Sequence, residues 1–512
     1  MKSEATTSAP ISESSRNALD ASLVSGVAWT GASKWLTQIV AWASTLIVAR
    51  ILTPNDYGVV TMGTVYLGLV TLMSQFGVDA AVVTMRELSE YELAELNGLS
   101  VLLGLVGFAI SFLVAAPLGR LFGSAQLPAV LIVMSLGFVI SSLQTVPASL
   151  LQRQMNFKFL SIVDGVRALA LALATVAMAW AGFGYWSLVY GVILSAAVST
   201  GLTLTGKRAG FAWPRFHSSH AVRFSWHVLV SRVSWYGYSN ADFVVSGRVL
   251  GQAALGSYSL AWNLANVPIE KVTSLISGVT PSFFSATQND LAAMRRYLLR
   301  LTEVLAFVTF PLTVGLAFTA RNFVLIVLGA KWAGAITALE LLALYASVRS
   351  ITPLLGQILL ATRDSRFMMW NNVAAAIAFP VAFYAGARFG IAGIAAAWMV
   401  VYPLVTVPLY WRVFRKIELK VGEYLRALAP ALTATLAMAA GLIIFEFAFP
   451  RRVSVASLLQ QIIVGALIYG SVALVFHRQR LRAYQQALGL LRIPAPISAS
   501  AKDGPFTLGT LN

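Results

Sequence analysis

About fourteen apolar runs, each long enough to cross a bilayer as a helix, constrain this chain more than any other feature of its sequence. The first, Ser22 to Ala49, is 28 residues long and carries one charge, Lys34. At about 1.5 Å per residue it reaches roughly 40 Å, more than the ~30 Å hydrocarbon core. Arg50 closes it, and Thr53-Pro54-Asn55-Asp56 marks a turn before the next run. Further spans are expected at about 57–77, 96–116, 126–150, 160–180 and 184–204, then at 222–247, 253–280, 299–320, 336–360, 367–387 and 391–411, and finally at 426–447 and 455–476. The expected fold is therefore an all-α polytopic membrane protein.

Composition excludes the main alternatives. With 58% hydrophobic and 11% charged residues in 512, the chain is too apolar for a soluble enzyme. No cysteine is present, which removes disulfides, thiol nucleophiles and thiolate metal sites. Residues 1–21 are polar and rich in Ser, Thr and Ala, and read as an unstructured tail. The first apolar run is too long for the core of a signal peptide. A net charge of +17 suggests nucleic acid in a soluble protein; here the positive-inside rule explains it, and no nucleic acid partner is expected. With both termini placed in the cytoplasm, 24 of the 37 Lys and Arg fall in inner segments and 8 in outer ones.

An internal repeat runs through the apolar runs. Arg50-Ile51-Leu52 and Gly58 match Arg248-Val249-Leu250 and Gly256 at an offset of 198. Leu121-Phe122-Gly123 matches Val327-Leu328-Gly329, and Pro147 matches Pro353, at an offset of 206. Each copy holds six spans, an even number, so both copies share one orientation and are related by an axis along the membrane normal. The expected organisation is a tail (1–21), an N-terminal lobe (22–204), a basic connector (205–221), a C-terminal lobe (222–411), a connector with two added spans (412–476) and a second tail (477–512).

Ionisable residues inside spans are the informative set, because a lysine at the bilayer centre costs about 2.5–3.5 kcal/mol and must face protein or water. Lys34 shares a polar stripe with Thr30, Thr37, Gln38 and Thr45. Arg232, Lys271 and Arg349 join it as candidates for a cationic cavity, and Asp242, Glu270, Asn266 and Gln38 as polar or ion-coupling positions. The alternative for the charges is buried pairing, Lys34 with Glu270 or Arg232 with Asp242. Asp164 and Arg167, three apart, read as a local ion pair. Arg50 and Arg248 are expected to be structural, each neutralising the carbonyl end of its own span. Prolines 147, 268, 311, 353, 380 and 403 read as kinks. The four histidines lack metal-ligand spacing, and no phosphate-binding glycine loop occurs, so neither metal nor cofactor nor enzymatic chemistry is expected.

Three segments carry a family likeness. VARILTPNDYGVVTM (48–62), LLQRQMNFKF (150–159) and GFGYWSLVYG (182–191) resemble segments of polysaccharide flippases in the multidrug/oligosaccharidyl-lipid/polysaccharide exporter superfamily. The branch is the one containing Wzx-type and colanic-acid-type exporters. The resemblance implies two six-helix lobes around a cavity that opens alternately to either side of the bacterial inner membrane. It implies an undecaprenyl-pyrophosphate-linked oligosaccharide as substrate, a polysaccharide polymerase and export machinery as partners, and a monomer among membrane lipids. In that setting Lys34, Arg232, Lys271 and Arg349 would face the pyrophosphate. Two other readings stay open: a cation-coupled drug exporter of the same superfamily, against which stands the lack of an acid in the first span, and a membrane-embedded glycan polymerase or acyltransferase, against which stand the short loops.

Overall fold

The computed structural model describes residues 38–74, 78–84, 88–214, 234–277, 284, 290–362, 364–449, 453–478 and 480. It is helical nearly throughout. In the first half, α1 (Gln38–Ile51), α2 (Pro54–Ser74), α3 (Val78–Thr84), α4 (Glu90–Phe122), α5 (Leu127–Arg153), α6 (Phe157–Trp180) and α7 (Trp186–Gly206) follow in order. In the second, α8 (234–239) leads to α9 (Ala241–Val245), which continues as a π turn (Ser246–Leu250). Then come α10 (Gln252–Ser277) and α11 (Leu291–Phe323) with a further π turn (Val324–Leu328) and a 3₁₀ turn (Ala330–Ala335). The chain ends with α12 (Ile336–Ile351), α13 (Pro353–Ala361), α14 (Ser365–Gly386), α15 (Gly390–Lys416), α16 (Val421–Ala448) and α17 (Val455–Phe476). Among the described residues, nine helical stretches are long and apolar enough to cross a membrane.

Capping side chains explain where the helices begin. The expected turn at Thr53–Asp56 is the start of α2: Thr53 donates its N–H and hydroxyl to Asp56 Oδ2 at 2.9 and 2.6 Å, with Pro54 in the first helical position. Ser89 and Glu92 form a reciprocal capping box, so α4 starts at Glu90 rather than at the expected 96. Apolarity marks only the part of a helix in lipid, and capped, charged turns extend it into water. The Ser89 hydrogen bonds also hold the Glu92 carboxyl below the usual range. Conversely, the expected span 336–360 is two helices. Proline cannot donate to the preceding turn, and α12 stops at Ile351 so that Pro353 opens α13.

Small residues let the helices approach. The buried side of α4 is Ala94, Gly98, Ser100, Gly104, Gly107, Ser111, Ala115 and Gly119 apart from Asn97, and α5 packs along it. A Cβ on Gly104 would lie 2.9 Å from the Phe138 carbonyl, and Ser100 donates to the Ser142 carbonyl at 3.2 Å. Helix α5 also packs on α7, which pairs with α6. In the second half α11 packs on α12 and α16, and α15 on α12 and α14. The main packing between halves is α2 against α10.

One expected ion pair is not formed, and one that was not expected is. Asp164 and Arg167 are both exposed and form no salt bridge with one another. Glu303, buried on α11, is bonded by Arg480, in the segment after α17. Arg480→Ala would leave that carboxylate without its cation in a mostly apolar setting. We expect a loss of roughly 1–3 kcal/mol, read as a lower unfolding temperature in detergent, and its recovery when Glu303→Gln is added.

Candidate functional site

At one end of the bundle the two halves are bolted together. The last carbonyls of a helix lack partners within it. Those of α1 are satisfied from the second half: Lys331 Nζ donates to the Arg50 and Ile51 carbonyls at 2.7 and 3.0 Å, and Trp332 Nε1 to the Ala49 carbonyl at 2.8 Å. In return, Arg50 donates to the Ile326 and Val327 carbonyls at 3.1 and 3.4 Å. Arg50 therefore neutralises the end of a helix in the other half, not its own, which corrects the expectation. Trp332 is fully buried and meets the Tyr57 ring edge-on at 5.2 Å. Arg248 lies exposed on the π turn.

One turn deeper, α2 and α10 cross on a pair of glycines. A Cβ on Gly58 would stand 1.9 Å from the Gln252 carbonyl oxygen, and one on Gly256 would stand 1.8 Å from that of Pro54. The contact is reciprocal, and each partner lies 198 positions from its counterpart, as do Thr61 and Ser259, whose hydroxyls bond at 2.9 Å. Deeper still, Tyr236 donates to the Val65 carbonyl at 3.0 Å and its hydroxyl sits against Gly68. These bonds between halves use only residues 49–65 of the first half.

The interior of the second half holds an acid in an aromatic shell. Asp242 is fully buried; its Oδ2 accepts from the Tyr258 hydroxyl at 2.8 Å and from Trp398 Nε1 at 3.0 Å, and its Oδ1 from the Phe243 N–H at 2.9 Å. Trp398 stacks on Tyr345 at 5.1 Å and packs on Phe379 at 4.5 Å. No described lysine or arginine forms a salt bridge with Asp242. Beside this shell, half-buried Arg349 donates to Asn266 Oδ1 at 2.5 Å and places its guanidinium 5.1 Å over the Trp262 ring. Planar, charged and already oriented, that group suits an oxyanion.

Of the candidate residues, the structure brings Arg349 and Asn266 together. Asp242 lies deep in the second half rather than on a wet surface, and Glu270 is exposed. Gln38 opens the described part of α1, half-buried. Lys34 and Arg232 lie outside the described residues; Lys271 is within α10, its side chain likewise outside them. Sequence reasoning missed Thr61, Ser259, Lys331, Trp332, Tyr258 and Trp398. Only the first two carried a signal, since they too stand 198 apart.

Residues 47–337 match the family described as polysaccharide biosynthesis protein. The chain is 27% identical over 398 residues to the lipopolysaccharide biosynthesis protein WzxC of Escherichia coli (strain K12), covering 76% of this chain and 80% of that one. It is 26% identical over 484 residues to the succinoglycan biosynthesis transport protein ExoT of Rhizobium meliloti (strain 1021), covering 93% and 97%. Among solved structures, the lipid II flippase MurJ in an inward closed conformation superposes with a TM-score of 0.73 at 13% identity, over 88% of this chain and 99% of that one. An inward-facing multidrug resistance MATE family transporter reaches 0.59 at 13% identity, over 75% and 96%. At such identities the likeness is one of fold.

Proposed function

The chain is a multi-pass membrane protein of the polysaccharide biosynthesis protein family, and from that membership we propose that it flips a lipid-linked oligosaccharide, a polysaccharide precursor, across the bacterial inner membrane. The reciprocal crossing of α2 and α10 is the observation that carries the mechanism. Contacts at equal spacing from two halves support a parallel repeat with its axis along the membrane normal, hence two six-helix lobes among fourteen spans. With both termini cytoplasmic, the bolted end is the outer end, and the conformation is closed to the outside. Alternating access then consists of unbolting residues 49–65 from 252–259 and 326–332 while the opposite end closes.

The substrate on this reading carries a pyrophosphate, a glycan and a prenyl chain. Arg349, held by Asn266 and Trp262, supplies one oriented cation. Lys34, Arg232 and Lys271 supply further countercharge, with Arg50 as a structural bolt. A potential negative inside favours outward passage of an anion by about 2.3 kcal/mol per charge per 100 mV. Transport needs no covalent step, so the protein is read as a carrier and not an enzyme.

Deletion of the gene is expected to abolish one surface polysaccharide and to leave its lipid-linked precursor in the inner leaflet. A precursor that still reaches the outer leaflet in the deletion strain overturns the proposal. At Lys34 charge should outweigh shape: Lys34→Arg is expected to retain most export, Lys34→Ala to lose most, and Lys34→Glu nearly all, at unchanged protein level. Arg349→Lys is expected to fall well below wild type, because an ammonium cannot reproduce the planar fork. Export that survives Ala at Lys34, Arg232, Lys271 and Arg349 together ends the cationic-cavity reading.

A further inference from the structure

Helices α15 and α16 are joined by only four residues, 417–420, yet they do not run packed together. Short connections ordinarily leave helices as packed antiparallel neighbours. Here α16 packs along α11 and α17 and leans away from α15. The wedge between them is a cavity of about 1150 Å³ whose floor is α11 and α12. That exceeds the ~300–1,000 Å³ of ordinary small-molecule pockets. Its walls are apolar and open toward the outside of the bundle: Val407 and Trp411 on α15 are 60% and 58% exposed, and Leu425 and Leu436 on α16 are 54% and 66% exposed.

Charge is confined to one end. Arg415 and Lys420 line the groove where the connector closes it, with Glu418 as the one acid lining it among the described residues. The Arg415 guanidinium sits 5.5 Å over the Trp411 ring, which fixes it at the rim. Arg295 donates to the Glu418 carbonyl at 3.2 Å, adding a third cation beside the connector. The neighbouring pair Arg412 and Lys416 is already engaged by Asp364, at 2.8 and 3.4 Å; the Arg412 hydrogen bond holds that carboxyl below its usual range. From Arg415 to Pro403 the α15 wall is about 18 Å deep at 1.5 Å per residue, slightly more than half of the ~30 Å hydrocarbon core. A long apolar slot, one leaflet deep along α15 and with a basic mouth at its head, has the shape and charge of a phospholipid site. The α16 wall runs farther, to Ala439.

We propose that the groove between α15 and α16 binds an anionic phospholipid, an acyl chain lying between Trp411 and Leu436 and the phosphate held by Arg415 and Lys420. The site is on the outer flank of the second half, separate from the Arg349 cluster and independent of the flippase reading. Its role is to fill a wedge that the protein itself leaves open.

The test uses the full chain in nanodiscs of equal parts phosphatidylglycerol and phosphatidylethanolamine, transferred to mild detergent, with retained lipid read by native mass spectrometry. Wild type is expected to keep phosphatidylglycerol in preference. The pair Arg415→Gln and Lys420→Gln, at exposed rim positions, is expected to reduce that preference by up to about thirtyfold, each charge near an anionic headgroup contributing roughly fivefold. Leu432→Trp, which fills the slot, is expected to remove retention of both lipids. A photoreactive acyl chain on phosphatidylglycerol is expected to label 411–436. Unchanged preference in the rim variant overturns the proposal, as does label spread evenly over the helices. Added undecaprenyl phosphate that displaces the label completely at equal concentration also overturns it, by making the groove a prenyl-chain site.

Discussion

Oxidation of a Thr61→Cys, Ser259→Cys variant is expected to abolish glycan export, and a reductant is expected to restore it. The native chain has no cysteine, so the pair is its only route to a disulfide. The two hydroxyls lie 2.9 Å apart, within the reach of a bond that needs Cβ atoms roughly 3.5–4.5 Å apart after a small adjustment. A disulfide here ties α2 to α10 one turn from the glycine crossing. If the outer end must open for the substrate to leave, no side chain elsewhere can compensate, and the loss should approach completeness. Gly58→Val is the matched control. Its Cβ would stand 1.9 Å from the Gln252 oxygen, so the helices must separate by about 1 Å or more. Cross-linking yield should then fall sharply in the triple variant. Full export by the oxidised pair, with cross-linking verified on a gel, would mean that this contact never opens, and alternating access through it would be wrong.

The same contact shows where sequence reading reached and where it stopped. The spacing of 198 between Arg50 with Gly58 and Arg248 with Gly256 was legible, because a glycine before a crossing leaves a mark in both copies. What the arginines do was not. Arg50 and the carbonyls it caps are 276 and 277 positions apart, and only the packing of α1 on the end of α11 brings them together. Helix identity followed from apolarity, whereas helix ends followed from Thr53, Ser89 and Pro353, whose caps and breaks lie at the edge of the apolar signal or within it. The partner of Glu303, Arg480, comes from beyond α17, 177 positions away. Asp242 could be named as a buried acid, but its partners Tyr258 and Trp398 stand 16 and 156 residues away. No periodicity on one helix encodes a shell drawn from three.

If export is coupled to an ion through Asp242, Asp242→Asn is expected to leave the protein folded and to reduce export at least tenfold, with loss of any dependence on the ion gradient. A carboxylate with no described cation beside it and no exposed surface is costly to keep ionised, since a buried charge needs a partner as well as hydrogen bonds. Tyr258 and Trp398 donate two bonds but no charge. If Asp242 is an ion-coupling position, taking up or releasing a proton or a small cation there would change how Tyr258 and Trp398 are held. Trp398 lies on α15 and Tyr258 on α10, the helix that carries the glycine crossing, so such a change would be passed to the bolt. Asparagine keeps the size and one acceptor for Tyr258 and Trp398, at the expense of the bond from the Phe243 N–H, but cannot take up a proton. Alanine is a different experiment: it strands all three buried donors at about 1–3 kcal/mol each and should lower the protein level itself. Export should be measured with and without an uncoupler and with and without sodium. Wild type should lose activity under one of these treatments, and Asp242→Asn should retain a small residual rate that neither changes. An Asn variant with wild-type export and unaltered ion dependence would make Asp242 a structural acceptor that holds the aromatic shell together, and would move the coupling site elsewhere in the chain.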